Sequence, residues 1–332
     1  MVSDLCGLHA QVMSCAELTL WARVEGLERD AVSRALWEER TLVKTWAMRG
    51  TLHLLPAAEM GLWISALGTR MERHFLNRAR QKAFGFSREE ALALVEAIGS
   101  ALDGRSLTRA ELAEAVGDER LLESWGSMLK PAAAAGALVF APSDGQNVRF
   151  TRPSWTPSDP AGALEEVTRR YLRAGGPATR EDVARWWGVS PAEGGRMLRA
   201  LEDELAEVVV EGAPMWMLAA DADDVCERAA ASGVRLLPGF DQYVIAATLH
   251  AEALMPGPFK ARVHRPQGWI SPVLLVDGQL AGVWRHERKG KRLLVGIEPF
   301  ARVAATARRA AEEEAERLAA FLGGSLELSW PS

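Results

Sequence analysis

The pattern of apolar and polar positions repeats itself in the middle of the chain. The ten residues from Thr108 to Gly117 match those from Thr179 to Gly188 position by position. In both copies the apolar residues recur at helical spacing, the threonine suits an N-cap, and the glycine suits the left-handed end of a helix. The repeat therefore predicts two equivalent helices.

Each copy is followed by the pattern of a second helix and then of a β-hairpin. The second helices are expected over about residues 120–135 and 191–204, the latter opened by Ser190 with Pro191 in its first turn. Apolar runs around polar turns predict the hairpins, with strands over residues 137–141 and 148–150 and over 205–210 and 215–218. Helix, short turn, helix and a two-stranded wing are typical of a winged helix.

A third, less regular unit precedes the repeat. Ser14 followed by Glu17 is a capping-box pattern, which predicts a helix from about Cys15 to about Gly26. A further helix over residues 31–39 and a hairpin over 43–55 complete this unit. A period of about 70 residues is too long for a solenoid. We therefore expect tandem winged helices.

The pattern changes to β after Asp221. Apolar runs around Asp277-Gly278 and around a basic turn predict several strands, followed by a helix over about residues 299–321 and a strand over 325–330. The expected fold is α+β, mainly α with β-hairpins: three tandem winged-helix motifs and a β-rich C-terminal region. The expected domains cover residues 1–100, 101–157, 158–220 and 221–332, with a proline-rich linker over 153–160.

Composition narrows the class of protein. The chain has 332 residues, 48% of them hydrophobic and 25% charged, which is ordinary for a soluble globular protein. It has no apolar run of about 18 residues and no basic leader, so we expect a cytoplasmic protein without a membrane span. Three cysteines in apolar contexts, without metal-ligand spacing, predict reduced thiols and no metal site.

The net charge of −5 argues at first against a nucleic-acid partner. The cations are clustered, however, and a basic face on an acidic protein can still bind a polyanion because attraction to phosphate is local. For any one cluster the alternative is a solvated turn or helix face. The three clusters are Arg70 to Lys82, Lys260 to Arg265, and Arg285 to Arg292.

Candidate chemistry lies just before the first predicted helix. His9 and Gln11 are two residues apart on a segment expected to be extended, so both side chains should point the same way and could hold a water molecule between them. The alternative is that such a pair serves capping and solvation.

Three motifs in the same order carry a family resemblance over nearly the whole chain. The chain resembles the AlkZ-like (AlkZ/YcaQ) DNA glycosylases, bacterial proteins of three tandem winged helices. Histidine at the first catalytic position is similar to the His-x-Gln branch of that family, whereas AlkZ has Gln-x-Gln. The motifs run from His9 to Leu18, from Thr45 to Leu54 and from Leu236 to Tyr243.

The resemblance implies a monofunctional DNA glycosylase for bulky or N7-alkylated purines, serving base excision repair or self-resistance to a genotoxic natural product. It implies double-stranded DNA as partner, no cofactor, a monomer, nucleoid association, and His9 and Gln11 as the catalytic pair. It also implies a further helix upstream of His9, so either the chain starts earlier or the first winged helix is incomplete. The DNA-binding residues would be Arg49, Thr51, His53, Arg262, Arg265, Arg285, Arg288, Lys289, Lys291 and Arg292.

The residues suit that chemistry. Alkylation at N7 makes the base a cationic leaving group, so the enzyme must mainly place a water and tolerate an oxocarbenium-like transition state. The amide of Gln11 can hold the water, and a neutral His9 imidazole near its ordinary pKa can take its proton. Asp241 is expected to orient backbone. The alternative function is a winged-helix DNA-binding protein or transcriptional regulator without catalysis.

Overall fold

The computed structural model describes residues 1–123, 126–255 and 257–330. Its chain forms two compact units, which share the sequence in an interleaved way. The first comprises Met1, residues 12–32 and the chain from residue 222 onward, and the second comprises residues 2–11 and 33–221. The polypeptide therefore passes from one unit to the other directly after Gln11.

A three-stranded sheet opens the second unit. Strands β1 (Leu8–His9), β2 (Leu42–Trp46) and β3 (Leu52–Pro56) are arranged in the order β1-β3-β2, and both pairings are antiparallel. The hairpin predicted for the first winged helix is thus confirmed as β2 and β3. The sheet also has β1 as an additional strand, which places the segment before Gln11 directly against β3.

The capping prediction at Ser14 is wrong. Helix α1 (Met13–Trp21) begins earlier than expected and ends well before Gly26, and Val12 is its N-cap without a side-chain hydrogen bond. Ser14 therefore lies inside the first turn, where it cannot cap. The carboxylate of Glu17 instead pairs with Arg29. The next helix, α2 (Ala31–Trp37), is close to its predicted range.

Several helices between residues 57 and 101 were absent from the sequence-based expectation. One of them carried a readable signal, because Ser87 and Glu90 form a reciprocal capping box at the start of its helix. A short π-helical turn, Met71–Phe75, lies among them. The helices are α3 (Met60–Gly68), α4 (Arg78–Phe84) and α5 (Arg88–Ala101).

The repeated helices are confirmed. Helices α6 (Arg109–Val116) and α9 (Arg180–Trp187) have Thr108 and Thr179 as N-caps, each with a capping box. Both end at a glycine in the left-handed region: φ is 72° at Gly117 and 79° at Gly188. The identical caps arise from the same sequence signals in both copies.

The second helices of the two copies are shorter than predicted. A single helix over 120–135 is wrong: a 3-10 turn, Glu119–Leu122, ends at Glu123, whose extended backbone (φ −88°, ψ 169°) no helix continues through. Helix α7 (Lys130–Ala134) follows it; positions 124 and 125 lie outside the described residues. Helix α8 (Pro160–Gly175), which the sequence reasoning missed, and helix α10 (Pro191–Arg199) flank α9.

The two predicted hairpins are confirmed. The first has an additional strand, so that its sheet has three strands in the order β4-β6-β5. The second is a two-stranded sheet of β7 and β8. The strands are β4 (Ser106–Thr108), β5 (Val139–Asp144), β6 (Asn147–Thr151), β7 (Leu205–Val210) and β8 (Ala213–Leu218).

The first unit is built on a five-stranded sheet in the order β13-β12-β11-β10-β9, antiparallel except for the parallel pair β12 and β13. The helix expected to start at 299 starts six residues later, because Pro299 still belongs to a strand. The strands are β9 (Val234–Leu237), β10 (Val273–Val276), β11 (Gln279–Lys289), β12 (Arg292–Pro299) and β13 (Ser325–Ser329). The helices are α11 (Ala222–Glu227), α12 (Gln242–Ala246), α13 (Ala251–Leu254), α14 (Lys260–Val263) and α15 (Ala305–Leu322).

Each unit has its own apolar core. In the first unit α15 and α1 pack on the five-stranded sheet, and Trp21, Trp284 and Leu318 are buried there. In the second unit Trp63 and Trp187 are among the largest fully buried side chains. None of the helices in the described ranges combines the length and the apolarity that a membrane crossing requires.

Candidate active site

The first catalytic candidate, His9, lies at the end of β1 and is held by the sheet. Its backbone is paired with His53 on β3, and its side chain is 7% exposed. The neighbours Leu8 and Ala10 are buried, as expected, and the Ala10 N–H donates to the Leu52 carbonyl over 2.8 Å. The backbone of His9 is thus fixed by strand pairing on both sides of the residue.

The second candidate, Gln11, is anchored on the same strand and is exposed. Its amide Oε1 accepts a hydrogen bond from the Leu52 N–H over 3.2 Å. That bond leaves the amide NH₂ group and the second lone pair of Oε1 for a ligand. Residues His9 and Gln11 therefore come from one extended segment, and both are placed by β3.

His53 lies behind His9 rather than on the surface. It is fully buried, and the two imidazole rings meet edge to face with centroids 5.6 Å apart. The His53 Nδ1 lies 3.0 Å from the Thr51 carbonyl oxygen, which can only accept, so Nδ1 carries the proton. From this position His53 has no surface with which to contact a phosphate.

The turn between β2 and β3 places a guanidinium close to both histidines. Arg49 has φ 56°, a left-handed conformation for a residue with a side chain, and Gly50 follows with φ 65°. The side chain of Arg49 donates from Nη1 to the Trp186 carbonyl over 3.3 Å. The Thr51 hydroxyl donates to the Met48 carbonyl, so this predicted DNA contact is engaged within its own turn.

Burial and neighbouring charge make both histidines neutral. Burial, and after it the charge of Arg49, lower the pKa of His9 to about 4. Burial likewise holds the pKa of His53 well below its ordinary value, with Arg49 and His9 adding to the effect. The expectation of a near-ordinary pKa for His9 is therefore wrong, whereas the neutral imidazole that the chemistry requires is present throughout the physiological pH range.

The other predicted DNA contacts belong to the first unit, on β11, β12 and the segment around α14. Several of these cations have carboxylate partners. Arg285 and Arg262 both approach Glu298, at 3.5 and 3.1 Å, and Arg292 lies 2.9 Å from Glu327. Lys289 lies 3.5 Å from Glu287 within the same strand.

The remaining cations of this set differ in their surroundings. The guanidinium of Arg288 donates to the carbonyls of Leu322 and Gly323, at the end of α15, where the helix dipole favours a cation. Arg265 and Lys291 have no salt bridge among the described residues. The basic hairpin is thus partly compensated, and its free positive charge is smaller than the sequence indicates.

Asp241 has the structural role expected of it, and its partner was missed. The buried carboxylate accepts from the Tyr243 N–H over 2.9 Å and forms two 2.7 Å hydrogen bonds with the guanidinium of Arg23. This pair joins the segment after α1 to the start of α12 inside the first unit. Arg23 is an isolated cation in the sequence, so no local pattern indicated that partner.

One member of a predicted basic cluster is not a surface cation. Arg70 is 7% exposed, and its guanidinium lies over the ring of Trp187, 5.6 Å from the centroid. Burial, and after it the charge of Arg49, lower the pKa of Arg70 to about 10. A charge run in sequence gave no sign that one of its arginines is buried.

Taken together, the mixed α/β fold and the neutral histidine beside an exposed glutamine define a candidate hydrolytic site. The model of the "DNA glycosylase AlkZ-like" family matches residues 2–321. The chain therefore belongs to the AlkZ-like DNA glycosylase family, and it is an enzyme of the class that hydrolyses N-glycosidic bonds in DNA.

Two comparisons with one bacterial relative agree with this assignment. The chain is 36% identical to the interstrand DNA cross-link repair glycosylase of Streptomyces sahachiroi, over 98% of this chain and 91% of the relative. The solved structure of Streptomyces sahachiroi DNA glycosylase AlkZ matches with a TM-score of 0.88 at 34% identity, covering 99% of this chain and 92% of that one.

Proposed function

We propose that this glycosylase is monofunctional and excises bulky or N7-alkylated purines from double-stranded DNA. The cross-link repair named for the Streptomyces relative supports a bulky adduct as substrate. The proposal rests on one observation above all: a neutral His9, two residues from an exposed Gln11, with no carboxylate among residues 9–11. Such a site suits a substrate whose base leaves without a strong general acid.

The proposed reaction uses each group for one task. The Gln11 amide holds a water against the sugar, and the water oxygen bonds to the anomeric carbon as the bond to the base nitrogen breaks. The bond electrons leave with the cationic base, which becomes neutral. The water's proton passes to His9, which yields an abasic site and no lyase product.

We propose that three tandem winged helices carry this site. The domains would cover residues 1–100, 101–157, 158–220 and 221–332. The matched caps of α6 and α9, each with a hairpin further along the chain, support the second and third winged helices. The hairpin β2–β3 supports the first, in which β1 supplies the catalytic segment.

The proposed contacts with DNA come from cations of both units. We propose that Arg49, Arg262, Arg265 and the basic hairpin of β11 and β12 contact phosphates, so that binding is independent of sequence. The hairpin residues are Arg285, Arg288, Lys289, Lys291 and Arg292. We further propose that the protein acts as a monomer on nucleoid DNA.

The test is excision of alkylated purines from a duplex, measured as strand cleavage by heat or alkali at the abasic sites formed. Gln11→Ala should abolish excision, and His9→Ala should slow it by about 10²–10⁴-fold, the contribution typical of a general base. His9→Gln should retain partial activity. Gln146→Ala, in an exposed turn, is the matched control. Unchanged rates in both alanine variants, with DNA binding intact, would remove the catalytic assignment.

A further inference from the structure

The second unit contains a buried arginine whose charge has no carboxylate partner. Arg70 makes one long hydrogen bond, 3.3 Å from Nη1 to the Ala47 carbonyl, and no salt bridge among the described residues. Its Nε is buried and has no hydrogen-bond partner there. A buried charge without a partner costs several kcal/mol. An anionic ligand would offset this cost.

A second arginine, the half-buried Arg49, lies nearby. A Cβ placed on Gly188 would be 2.9 Å from the Arg49 Cα and 3.2 Å from the Arg70 Nη2. The Arg70 head and the Arg49 backbone therefore pack closely against Gly188, and a side chain at that position would clash with them. Burial, and after it the charge of Arg185, lower the pKa of Arg49 to about 10. Burial, and after it the charge of Arg49, lower the pKa of Arg70 to about 10 as well. Both guanidinium groups remain charged at neutral pH, and they repel each other.

Arg70 also lines a cavity of about 320 Å³ between α8, α9, α10 and the π-helical turn. Since a water occupies about 30 Å³, this cavity has room for a phosphate group with several waters. Trp187 and Val189, the neighbours of Gly188 in sequence, line it as well. The cavity thus reaches the Arg70 guanidinium next to its close contact with Gly188.

The carboxylates of this cavity do not neutralise Arg70. Glu193 accepts from the Ser190 N–H and hydroxyl through Oε2, and its Oε1 lies 3.7 Å from Arg196. Its charge favours the protonated Arg70, but less than burial and Arg49 oppose it. Glu165 lines the cavity too and forms no salt bridge with Arg70. The charges that line the cavity therefore balance, Arg70 and Arg196 against Glu165 and Glu193, and the excess of positive charge around Arg70 comes from Arg49.

We propose that Arg70 binds a phosphate oxyanion, which enters through this cavity, and that the charge of the neighbouring Arg49 strengthens the site. The planar guanidinium fork suits the oxygens of a phosphate, and an anion there would offset the buried charge of both arginines. The source is either a phosphodiester of the DNA strand or a free phosphate-bearing molecule. The first source rests on the proposed function; the binding of the oxyanion does not.

A phosphate at this site would also change the surroundings of His9. The charge of Arg49 opposes a proton on His9, and it equally opposes a positive charge developing on a sugar held there. An anion that neutralises Arg49 would relieve both effects. Substrate binding would in this way prepare His9 to accept the proton of the attacking water.

The experiment follows thermal unfolding of the full chain in sodium phosphate and in sodium chloride at equal ionic strength and pH. The midpoint should rise with the logarithm of phosphate concentration beyond the chloride reference. Arg70→Met should lose that difference and be no less stable in chloride, because it removes an uncompensated buried charge. Arg70→Lys should keep a smaller difference. The control is Arg302→Met, at an exposed arginine of the other unit, which should keep the full difference.

A second arm separates the two sources. If the anion is a DNA phosphodiester, Arg70→Met should reduce the slope of log affinity against log salt by about 1 on any duplex. An unchanged slope, with the phosphate effect lost, assigns the site to a free phosphate-bearing ligand. Identical unfolding of the unmodified protein in phosphate and chloride overturns the proposal, whether or not the variants fold. None of these measurements depends on excision, so failure of the proposed catalysis is detected separately.

Discussion

His9 and His53 face each other across neighbouring antiparallel strands, with their rings perpendicular at 89°. The strand register fixes the distance between them, and the Thr51 carbonyl fixes the tautomer of the inner ring. Neither ring can hold a proton easily beside the charge of Arg49. The imidazole of His9, the outer ring, is consequently kept in its neutral, basic form. The imidazole of His53, the inner ring, limits the orientation of the His9 ring.

Excision should therefore remain active at a pH where an ordinary histidine would be protonated. The pKa of His9 is lowered to about 4, so the neutral base persists above that pH and is lost below it. The acid limb of kcat/KM, which reports the free enzyme, should fall near pH 4 instead of pH 6.5. Rates measured by abasic-site cleavage from pH 4 to 8, with His9→Ala as the reference, check this. An inflection near 6.5 would contradict it.

The same shift should make folding sensitive to acid. The unfolded chain binds a proton to His9 at a higher pH than the folded chain does, so the free energy of unfolding falls as the pH drops from 6.5 towards 4. A shift from 6.5 to about 4 corresponds to about 3 kcal/mol in total. Urea unfolding at pH 7 and pH 4.5 should show a smaller loss for His9→Gln than for the unmodified chain. Equal losses would mean that His9 is solvated.

Local sequence signals anticipated some elements well, and the reasons are physical. Thr108 and Thr179 each meet a carboxylate three residues on and a glycine at the helix end, so cap, box and stop all agree. At Ser14 the same pattern was outweighed, because the chain is already helical from Met13 and Glu17 pairs with Arg29. Contacts outside the local capping pattern therefore determine where that helix begins.

The placement of the candidate residues was predictable from the sequence, and the electrostatics around them were not. The position of His9 before a helix and its alternation with Gln11 followed from sequence. Burial of Arg70, the depressed pKa of His9 and the Arg23 partner of Asp241 depend on contacts between distant segments. No periodicity or composition argument reports such contacts.

The helix caps allow a direct test of that difference. Thr108→Ala and Thr179→Ala should each lower the free energy of unfolding by about 1 kcal/mol, because each removes the acceptor for a backbone N–H of the first turn. Ser14→Ala, which removes no cap, should stay within about 0.5 kcal/mol of the unmodified chain. Denaturant midpoints measure all three. A loss at Ser14 equal to that at the threonines would restore the original capping-box interpretation.

The buried pair of Arg23 and Asp241 should be strongly coupled. Asp241→Ala leaves a largely buried guanidinium unpaired and removes the acceptor for Tyr243, so a loss of about 3–5 kcal/mol is expected. Arg23→Met should cost a similar amount, and the double variant should lose less than the sum. The exposed pair Arg309 and Glu313 is the control, with a coupling below about 0.5 kcal/mol. Additive losses at the buried pair would show that the two charges act independently.

The basic hairpin gives the last prediction. Lys291 has no salt bridge among the described residues, and Lys289 has an exposed one to Glu287, so both are available to phosphates at little cost. Reversal of both to Glu should weaken binding to every duplex equally and reduce the salt slope by about 2 or more, because phosphate contacts have no base preference. The control is reversal of Arg308 and Arg309 to Glu on α15, which introduces the same change of charge. These two arginines pair with Glu312 and Glu313 on the same helix. Fluorescence anisotropy with two unrelated duplexes at several salt concentrations distinguishes the variants. If both reversals lower affinity alike, the effect is one of net charge, and the hairpin is not the contact surface.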